Sequence, residues 1–95
     1  MKKGIRANLY LPEECVQIIN NNKEYVTNLL DNFDNLSYDI YDGTYDGKNV
    51  CGIEFMILGD TFKETNERYK HLKNILKNIT GKNPKQISKC EFDWI

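Results

Sequence analysis

The sequence has little of what marks a membrane or secreted protein. No apolar run in its 95 residues approaches the roughly 18 needed for a transmembrane helix. The N-terminal stretch MKKGIRANLYLPEE lacks the apolar core of a signal peptide. The three cysteines, at positions 15, 51 and 90, are odd in number and far apart, which is not the pattern of a disulfide framework. These absences predict a protein of a reducing compartment, the cytoplasm.

Motifs that carry catalysis are also missing. The glycines of DGTYDG, residues 42–47, have the wrong spacing for a phosphate or dinucleotide loop and open no helix. There is a single histidine, His71, and the only cysteine near a helix start, Cys15, fits the core. The sequence therefore predicts a non-enzymatic protein. Neighbouring carboxylates on predicted strands leave a metal-dependent nuclease as an alternative: Asp39 with Asp42 or Asp46, and Glu91 with Asp93.

Residues suited to metal binding are present, but not in a recognised spacing. No C-x-x-C pair occurs, and alternation predicts that all three cysteines face inward as small hydrophobes. A loop counted from Asp42 has oxygen-bearing residues at EF-hand positions 1, 3 and 5, but Ile53 replaces the bidentate glutamate. We expect no cofactor. A small zinc or calcium domain is the alternative, built from the Asp42–Asp46 loop or from Cys15, Cys51, His71 and Cys90.

The composition of the chain indicates one folded domain, residues 1–95. A hydrophobic share of 40% and an aromatic share of 12% are typical of a globular protein with one two-layer core. Period-two alternation predicts strands over 4–11, 36–45, 50–58 and 85–95, and helical periodicity predicts helices after Pro12 and within 59–81. This order predicts an α+β, ferredoxin-like βαββαβ two-layer sandwich. Its four-stranded antiparallel sheet has the order 4-1-3-2, with two helices on one face.

Local signals set the limits of the helices. Three asparagines at 20–22 interrupt the first helix, and the last of them can cap a second segment. In the later helix Asp60 or Thr61 is the predicted N-cap, Glu64 can close a capping box, and Gly81 ends the helix.

The repetitive stretch YDIYDGTYDGKN, residues 38–49, is interpreted as an edge strand followed by a hairpin turn. Asp-Gly pairs are strong signals for short turns, and both flanks favour strands. The acidic residues then guard an exposed sheet edge against pairing with other chains.

If both helices cover one face of the sheet, the other face is open to a partner. Alternation along the strands predicts that it carries Arg6, Asn8, Tyr10, Asp39, Tyr41, Glu54, Met56, Lys89, Glu91 and Asp93, with Tyr45 near the edge. Tyrosine supplies contact area at low entropic cost, and carboxylates complement lysine and arginine. The predicted contacts to a protein with a basic surface are Tyr10, Asp39, Tyr41, Asp42, Tyr45 and Glu54. The alternative is an ordinary solvated face whose tyrosines only shield the strands.

Charge is segregated along the chain, although the net charge is −1. Acidic residues dominate from Asp31 to Asp60, and basic residues dominate from Lys63 to Lys89. This separation of acidic and basic segments gives the domain an electric dipole, and a dipole can orient a small domain on a charged partner. The predicted open face carries too many carboxylates for an RNA platform, so we expect no sequence-specific nucleic acid. The lysines of the later helix can still touch a phosphate backbone non-specifically.

The sequence combines small size and a lack of catalytic motifs with a strand pair, YDIYDGTYDG and CGIEFM, that is acidic and carries several tyrosines. Its Asn, Lys and Ile content is typical of an AT-rich genome. In general character the sequence resembles phage-encoded anti-CRISPR inhibitors. This resemblance implies a phage protein in the bacterial host cytoplasm that binds a CRISPR effector nuclease and blocks nucleic-acid binding or cleavage. The protein is expected to act as a monomer or a homodimer, and a structural dimer joined near Tyr45 is a further alternative.

Overall fold

The computed structural model describes residues 1–94. Its elements along the chain are β1 (Lys2–Pro12), α1 (Glu14–Asn21), α2 (Lys23–Asp31), β2 (Leu36–Tyr45), β3 (Lys48–Gly59), α3 (Phe62–Thr80) and β4 (Lys85–Trp94). The strands form one antiparallel sheet in the order β2-β3-β1-β4, so β2 and β4 are its edges. The predicted α+β class and four-stranded antiparallel sheet are confirmed. Residues 1–94 contain three helices, where the sequence predicted two.

The extra helix arises because the segment after Pro12 divides at Asn22. The backbone of Asn22 leaves the helical region, with φ −118° and ψ 25°. Its side-chain amide donates to the carbonyl oxygen of Ile18 at 2.8 Å, at the end of α1. This bond satisfies one of the carbonyl groups that have no partner within the helix at its C-terminus. As predicted, Asn22 occupies the N-cap position of α2, and its carbonyl oxygen accepts from the backbone N–H of Val26 at 2.9 Å, but its side chain makes no hydrogen bond to the start of that helix.

The core lies between the sheet and the three helices. Alternate residues of the central strands β1 and β3 point into it, and one stripe of each helix meets them. The buried hydrophobic side chains of this cluster are Ile5, Ala7, Leu9, Leu11, Cys15, Ile19, Val26, Leu30, Cys51, Ile53, Phe55, Ile57, Tyr69, Leu72 and Leu76. Burial of each large aliphatic side chain contributes about 1.5–3 kcal/mol. Among residues 1–94, no helix combines the length and the apolar character that crossing a bilayer requires.

The limits of α3 agree with the prediction. The hydroxyl of Thr61 accepts from the backbone N–H of Glu64 at 3.1 Å, and the Glu64 carboxylate accepts from the backbone N–H of Asp60. Gly81 ends the helix in the left-handed conformation with φ 74°. Inside the first turn, the buried Thr65 hydroxyl lies 2.8 Å from the carbonyl oxygens of Thr61 and Lys3, so it ties α3 to β1.

The predicted hairpin between β2 and β3 is confirmed. Tyr45 pairs with Lys48, and the two residues between them have positive φ, 54° at Asp46 and 75° at Gly47. These are the values of a two-residue type I′ turn. Asp42 lies in β2 opposite Cys51, and Ile53 lies within β3. The EF-hand interpretation is therefore wrong, because the segment forms paired strands and not a calcium loop.

The edge strand β4 carries its apolar stripe on the side away from the helices. A register shift between Asn8 and Leu9 sets this phase, and beyond it Cys90, Phe92 and Trp94 pair with Arg6, Gly4 and Lys2. The residues between them, Lys89, Glu91 and Asp93, face the helices. The Lys89 ammonium donates to the side-chain oxygen of Asn66 in α3 at 2.7 Å, and the Glu91 carboxylate accepts from the side-chain amide of Asn66. Asp93 forms an ion pair with Lys3. The prediction that Lys89, Glu91 and Asp93 belong to the open face, and Cys90 to the core, is therefore wrong.

Candidate functional site

The sheet face opposite the helices is uncovered, and we call it the open face. Each strand contributes its alternate side chains to it, in four columns that follow the strand order. Its polar, aromatic and sulfur-bearing members are Ser37, Asp39, Tyr41 and Tyr45 from β2, Lys48, Glu54 and Met56 from β3, Lys2, Arg6, Asn8 and Tyr10 from β1, and Lys85, Ser88, Cys90, Phe92 and Trp94 from β4.

Two aromatic rings of the open face lie over glycines of the adjacent strand. A Cβ at Gly52 would clash with the Tyr41 ring, and a Cβ at Gly4 would clash with the Phe92 ring. The Tyr41 hydroxyl donates to the Asn8 side chain at 2.8 Å, so this residue crosses from β2 over β3 to β1. Rings held in this way form a rigid surface that loses little conformational entropy when it is covered.

Further aromatic side chains stand exposed at the two ends of the open face. At one end the ring centroids of Tyr10 and Tyr45 are 4.7 Å apart, and Tyr45 is 41% exposed. At the other end Trp94 packs edge-on against Phe92 at 6.4 Å and is 45% exposed. Exposed tyrosine and tryptophan are the side chains most enriched at protein interfaces.

A cleft of about 870 Å³ opens beside the Tyr10–Tyr45 pair. It lies where the β2–β3 hairpin, the start of α1 and the loop before β4 meet. Its lining is mixed in charge: Tyr10, Pro12, Glu13, Glu14, Tyr45, Asp46, Lys48, Asn49, Val50, Lys82, Asn83 and Lys85. The cleft extends the aromatic end of the open face into a concave surface.

Between the two aromatic ends lies a pair of like charges. Asp39 of β2 and Glu54 of β3 are directly opposite each other in the register and share the open face. The ion pairs within 4.0 Å in the described residues 1–94 are Lys2–Asp60 and Lys3–Asp93, so neither carboxylate has a basic partner there. With Arg6 and Met56 they line a shallow depression of about 310 Å³. The guanidinium of Arg6 lies over the Phe92 ring at 5.9 Å from its centroid.

Five of the six predicted contact residues lie on the open face, namely Tyr10, Asp39, Tyr41, Tyr45 and Glu54. Asp42 does not: its position in β2 is of opposite parity, on the side of Cys51 and the helices. The sequence analysis missed Phe92 and Trp94 as members of this face. Their alternation was visible, but alternation groups residues without saying which group the helices cover.

The four candidate zinc ligands are not brought together. Cys15 and Cys51 are buried in the core, Cys90 is exposed on the open face, and His71 stacks on Phe33 with ring centroids 5.8 Å apart. Burial raises the pKa of Cys51 to about 11, with the neighbouring Cys15 and Asp42 adding to the shift. In the described part of the chain no three residues of the metal-binding types converge. The Cys15, Cys51, His71 and Cys90 set therefore does not form a site.

Comparison with protein-family models and with curated proteins gave no match. Among solved structures, the chain is similar to a de novo designed protein, Foldit4, with a TM-score of 0.52 and 12% sequence identity. The alignment covers 100% of both chains. At this identity the likeness concerns the fold alone.

Proposed function

We propose that the protein is a non-enzymatic binding module whose open face engages a basic surface of another protein. The observation that carries the proposal is the pair formed by Asp39 and Glu54, two facing carboxylates with no base within 4.0 Å in residues 1–94. Like charges directly opposite on adjacent strands destabilise a sheet. A lysine or arginine of a partner that enters between them removes this cost and gains two charge-assisted contacts.

The surroundings of the pair supply the contact area that binding needs. Tyr41, Met56 and the Tyr10–Tyr45 pair surround the acids, and Phe92 and Trp94 extend the surface toward the other end of the sheet. Tryptophan and tyrosine side chains that become buried on binding are enriched among interface hot spots. The open face therefore combines an apolar platform with a local negative charge.

The resemblance to anti-CRISPR inhibitors gives the partner a candidate identity, a CRISPR effector nuclease. Such a nuclease holds nucleic acid in a positively charged channel, and an acidic aromatic face is complementary to it. We also propose that the fold is a variant of the ferredoxin-like arrangement. In this variant the first crossover helix is divided into α1 and α2, and the strand order read from β4 is 4-1-3-2.

The test is a charge reversal on the open face, the double variant Asp39→Lys with Glu54→Lys. Its matched control is Asp34→Lys with Asp42→Lys, which makes the same change in net charge at exposed positions away from this face. Affinity for purified guide-loaded effector nucleases is measured by surface plasmon resonance, and circular dichroism verifies the fold. We expect the open-face variant to lose at least about tenfold in affinity, while the control binds like the parent. Equal affinity of both variants for a bound nuclease would refute the assignment of the face.

A further inference from the structure

A second charged surface lies on the opposite side of the molecule from the Asp39–Glu54 pair. Residues 68–90 contain Arg68 and six lysines and no aspartate or glutamate. α3 and the first half of β4 bring much of this segment together, and we call it the α3–β4 surface: Lys70, Lys73, Lys77, Lys82 and Lys89. None of these lysines has a carboxylate within 4.0 Å in residues 1–94.

A small pocket in this surface has the chemistry of an anion site. It measures about 310 Å³ and is lined by Lys70, Lys73, Asn74, Asn83 and Pro84. The lining side chains supply two ammonium groups and two amides, and no carboxylate takes part. A phosphate oxygen accepts hydrogen bonds from all of these donors. The volume is at the lower limit for a ligand site, which suits a phosphate group with part of its sugar.

Tyr69 fixes two of the lysines beside each other. Its ring is only 5% exposed, and the ammonium groups of Lys73 and Lys89 lie 5.3 and 4.9 Å from its centroid. Its hydroxyl donates to the side chain of Gln86 in β4 at 3.0 Å, which locks the ring between helix and strand. The nearest carboxylate along β4, Glu91, accepts from Asn66 and marks the acidic limit of the surface. The positive charge is thus held in place and not neutralised.

The spacing along α3 matches a nucleic-acid backbone. Lys70, Lys73 and Lys77 follow one another at helical intervals of three and four residues, on one side of the helix. Lys70 and Lys77 are separated by about 10 Å along the axis, a length over which one strand of a duplex presents about three phosphates. The exposed large hydrophobic residues in the described chain are Met1, Tyr25, Tyr45 and Trp94, none of them on this surface. An amphipathic membrane-binding surface adds such an apolar anchor to its basic charge.

We propose that the α3–β4 surface binds the phosphate backbone of a nucleic acid without sequence preference, with one phosphate in the pocket of Lys70, Lys73, Asn74 and Asn83. This function goes beyond the proposed protein-binding role and does not rest on it. Because the two surfaces lie on different layers of the domain, a partner protein and a nucleic acid can be bound together.

The experiment is fluorescence anisotropy of a labelled DNA duplex at stepped NaCl concentrations. We expect log K to fall linearly with log salt with a slope of about −3, as for three neutralised phosphates. In the variant Lys70→Gln with Lys73→Gln, the slope should weaken by about two and affinity should fall at every salt concentration. Asn83→Asp places a carboxylate in the pocket without touching α3 and should weaken binding in the same way. The charge-matched control, Lys23→Glu, makes the same change in net charge at an exposed position of α2 and should bind like the parent.

Each other result overturns the proposal. Absence of an anisotropy change at low salt excludes nucleic-acid binding. If the control variant loses as much DNA affinity as the variant Lys70→Gln with Lys73→Gln, the DNA is attracted by net charge alone and not by the α3–β4 surface. Binding of inorganic phosphate or of phosphatidylserine vesicles, with no binding of DNA, assigns the pocket to another source of phosphate. The open-face variant Asp39→Lys with Glu54→Lys should retain DNA binding, so failure of this proposal and failure of the proposed function are separable.

Discussion

The ring of Tyr41 lies over the backbone of Gly52, and its hydroxyl donates to the side chain of Asn8 at 2.8 Å. One side chain of the edge strand β2 thereby crosses β3 and reaches β1. The glycine is required here by the close approach of the ring, because any Cβ would occupy the same space.

The substitution Gly52→Ala should destabilise the protein by about 1–3 kcal/mol, because the new methyl group displaces the Tyr41 ring and breaks its hydrogen bond. The free energy of unfolding is measured by urea denaturation. In a Tyr41→Ala background, the same Gly52→Ala substitution should raise the free energy of unfolding instead of lowering it. Without the ring, the methyl group fits, and alanine is favoured over glycine in a strand by roughly 0.5–1 kcal/mol. A similar loss in both backgrounds would mean that the ring does not lie over Gly52.

The sequence was sufficient for the elements whose signals are local. The I′ turn at Asp46 and Gly47 and the N-cap of α3 at Thr61 need only neighbouring residues, and both were predicted. The face of β4 was not, because the phase of an edge strand depends on its register with β1 and on how far α3 extends over it. Phe92 and Trp94 form an apolar stripe that would suit a core, yet no helix covers it. The α3–β4 pocket likewise depends on a loop and a helix meeting in three dimensions.

Thiol accessibility provides a direct check of the placement of Cys90. In the native protein, Cys90 should react rapidly with a disulfide reagent such as DTNB, whereas Cys15 and Cys51 are buried and should react only through unfolding. Burial also raises the pKa of both core thiols, which keeps them protonated near neutral pH. Cys90→Ser should abolish the fast phase and leave the slow phase unchanged. A fast phase of two or three thiols would contradict the fold.

The raised pKa of Cys51 predicts a loss of stability in alkaline solution. In the folded protein this thiol has a pKa of about 11, against an ordinary value of 9.0. Between these values the unfolded chain loses the proton and the folded protein keeps it, so the free energy of unfolding falls as pH rises. Well below pH 9.0 the thiol is protonated in both the folded and the unfolded state, so Cys51 itself contributes no pH dependence to the free energy of unfolding. The slope for one such group is at most about 1.4 kcal/mol per pH unit.

The control for this pH dependence is Cys51→Ala, which removes the titrating group. Urea denaturation at stepped pH values through this alkaline window should give a shallower slope for the variant than for the parent. Other groups that titrate in the same range are common to both proteins and cancel in the difference. Identical slopes would show that Cys51 is accessible to solvent in the folded protein.

The N-cap of α3 should contribute measurably to stability. Thr61→Ala removes the acceptor for the backbone N–H of Glu64 and should cost about 1 kcal/mol. Thr61→Ser keeps the hydroxyl oxygen and should recover most of this loss. Thermal or urea unfolding of the three proteins gives the comparison. If serine and alanine are equally destabilising, the role of Thr61 lies in the packing of its methyl group and not in capping.

The facing carboxylates of the open face predict a conflict between stability and binding. Replacing Asp39 with Asn removes one charge of the pair and keeps the shape, so it should stabilise the free protein by about 0.2–1 kcal/mol. The effect should shrink at high salt, because exposed charges are screened. Asp34→Asn, an exposed position away from the sheet, is the matched control and should change stability little.

The same Asp39→Asn substitution should weaken binding to a basic partner, since one of the two acceptors for its lysine or arginine loses its charge. A variant that is both more stable and a weaker binder is what a functional site retained against its folding cost predicts. If Asp39→Asn destabilises the free protein, the Asp39–Glu54 pair is part of the scaffold, and the binding role falls to the aromatic residues around it.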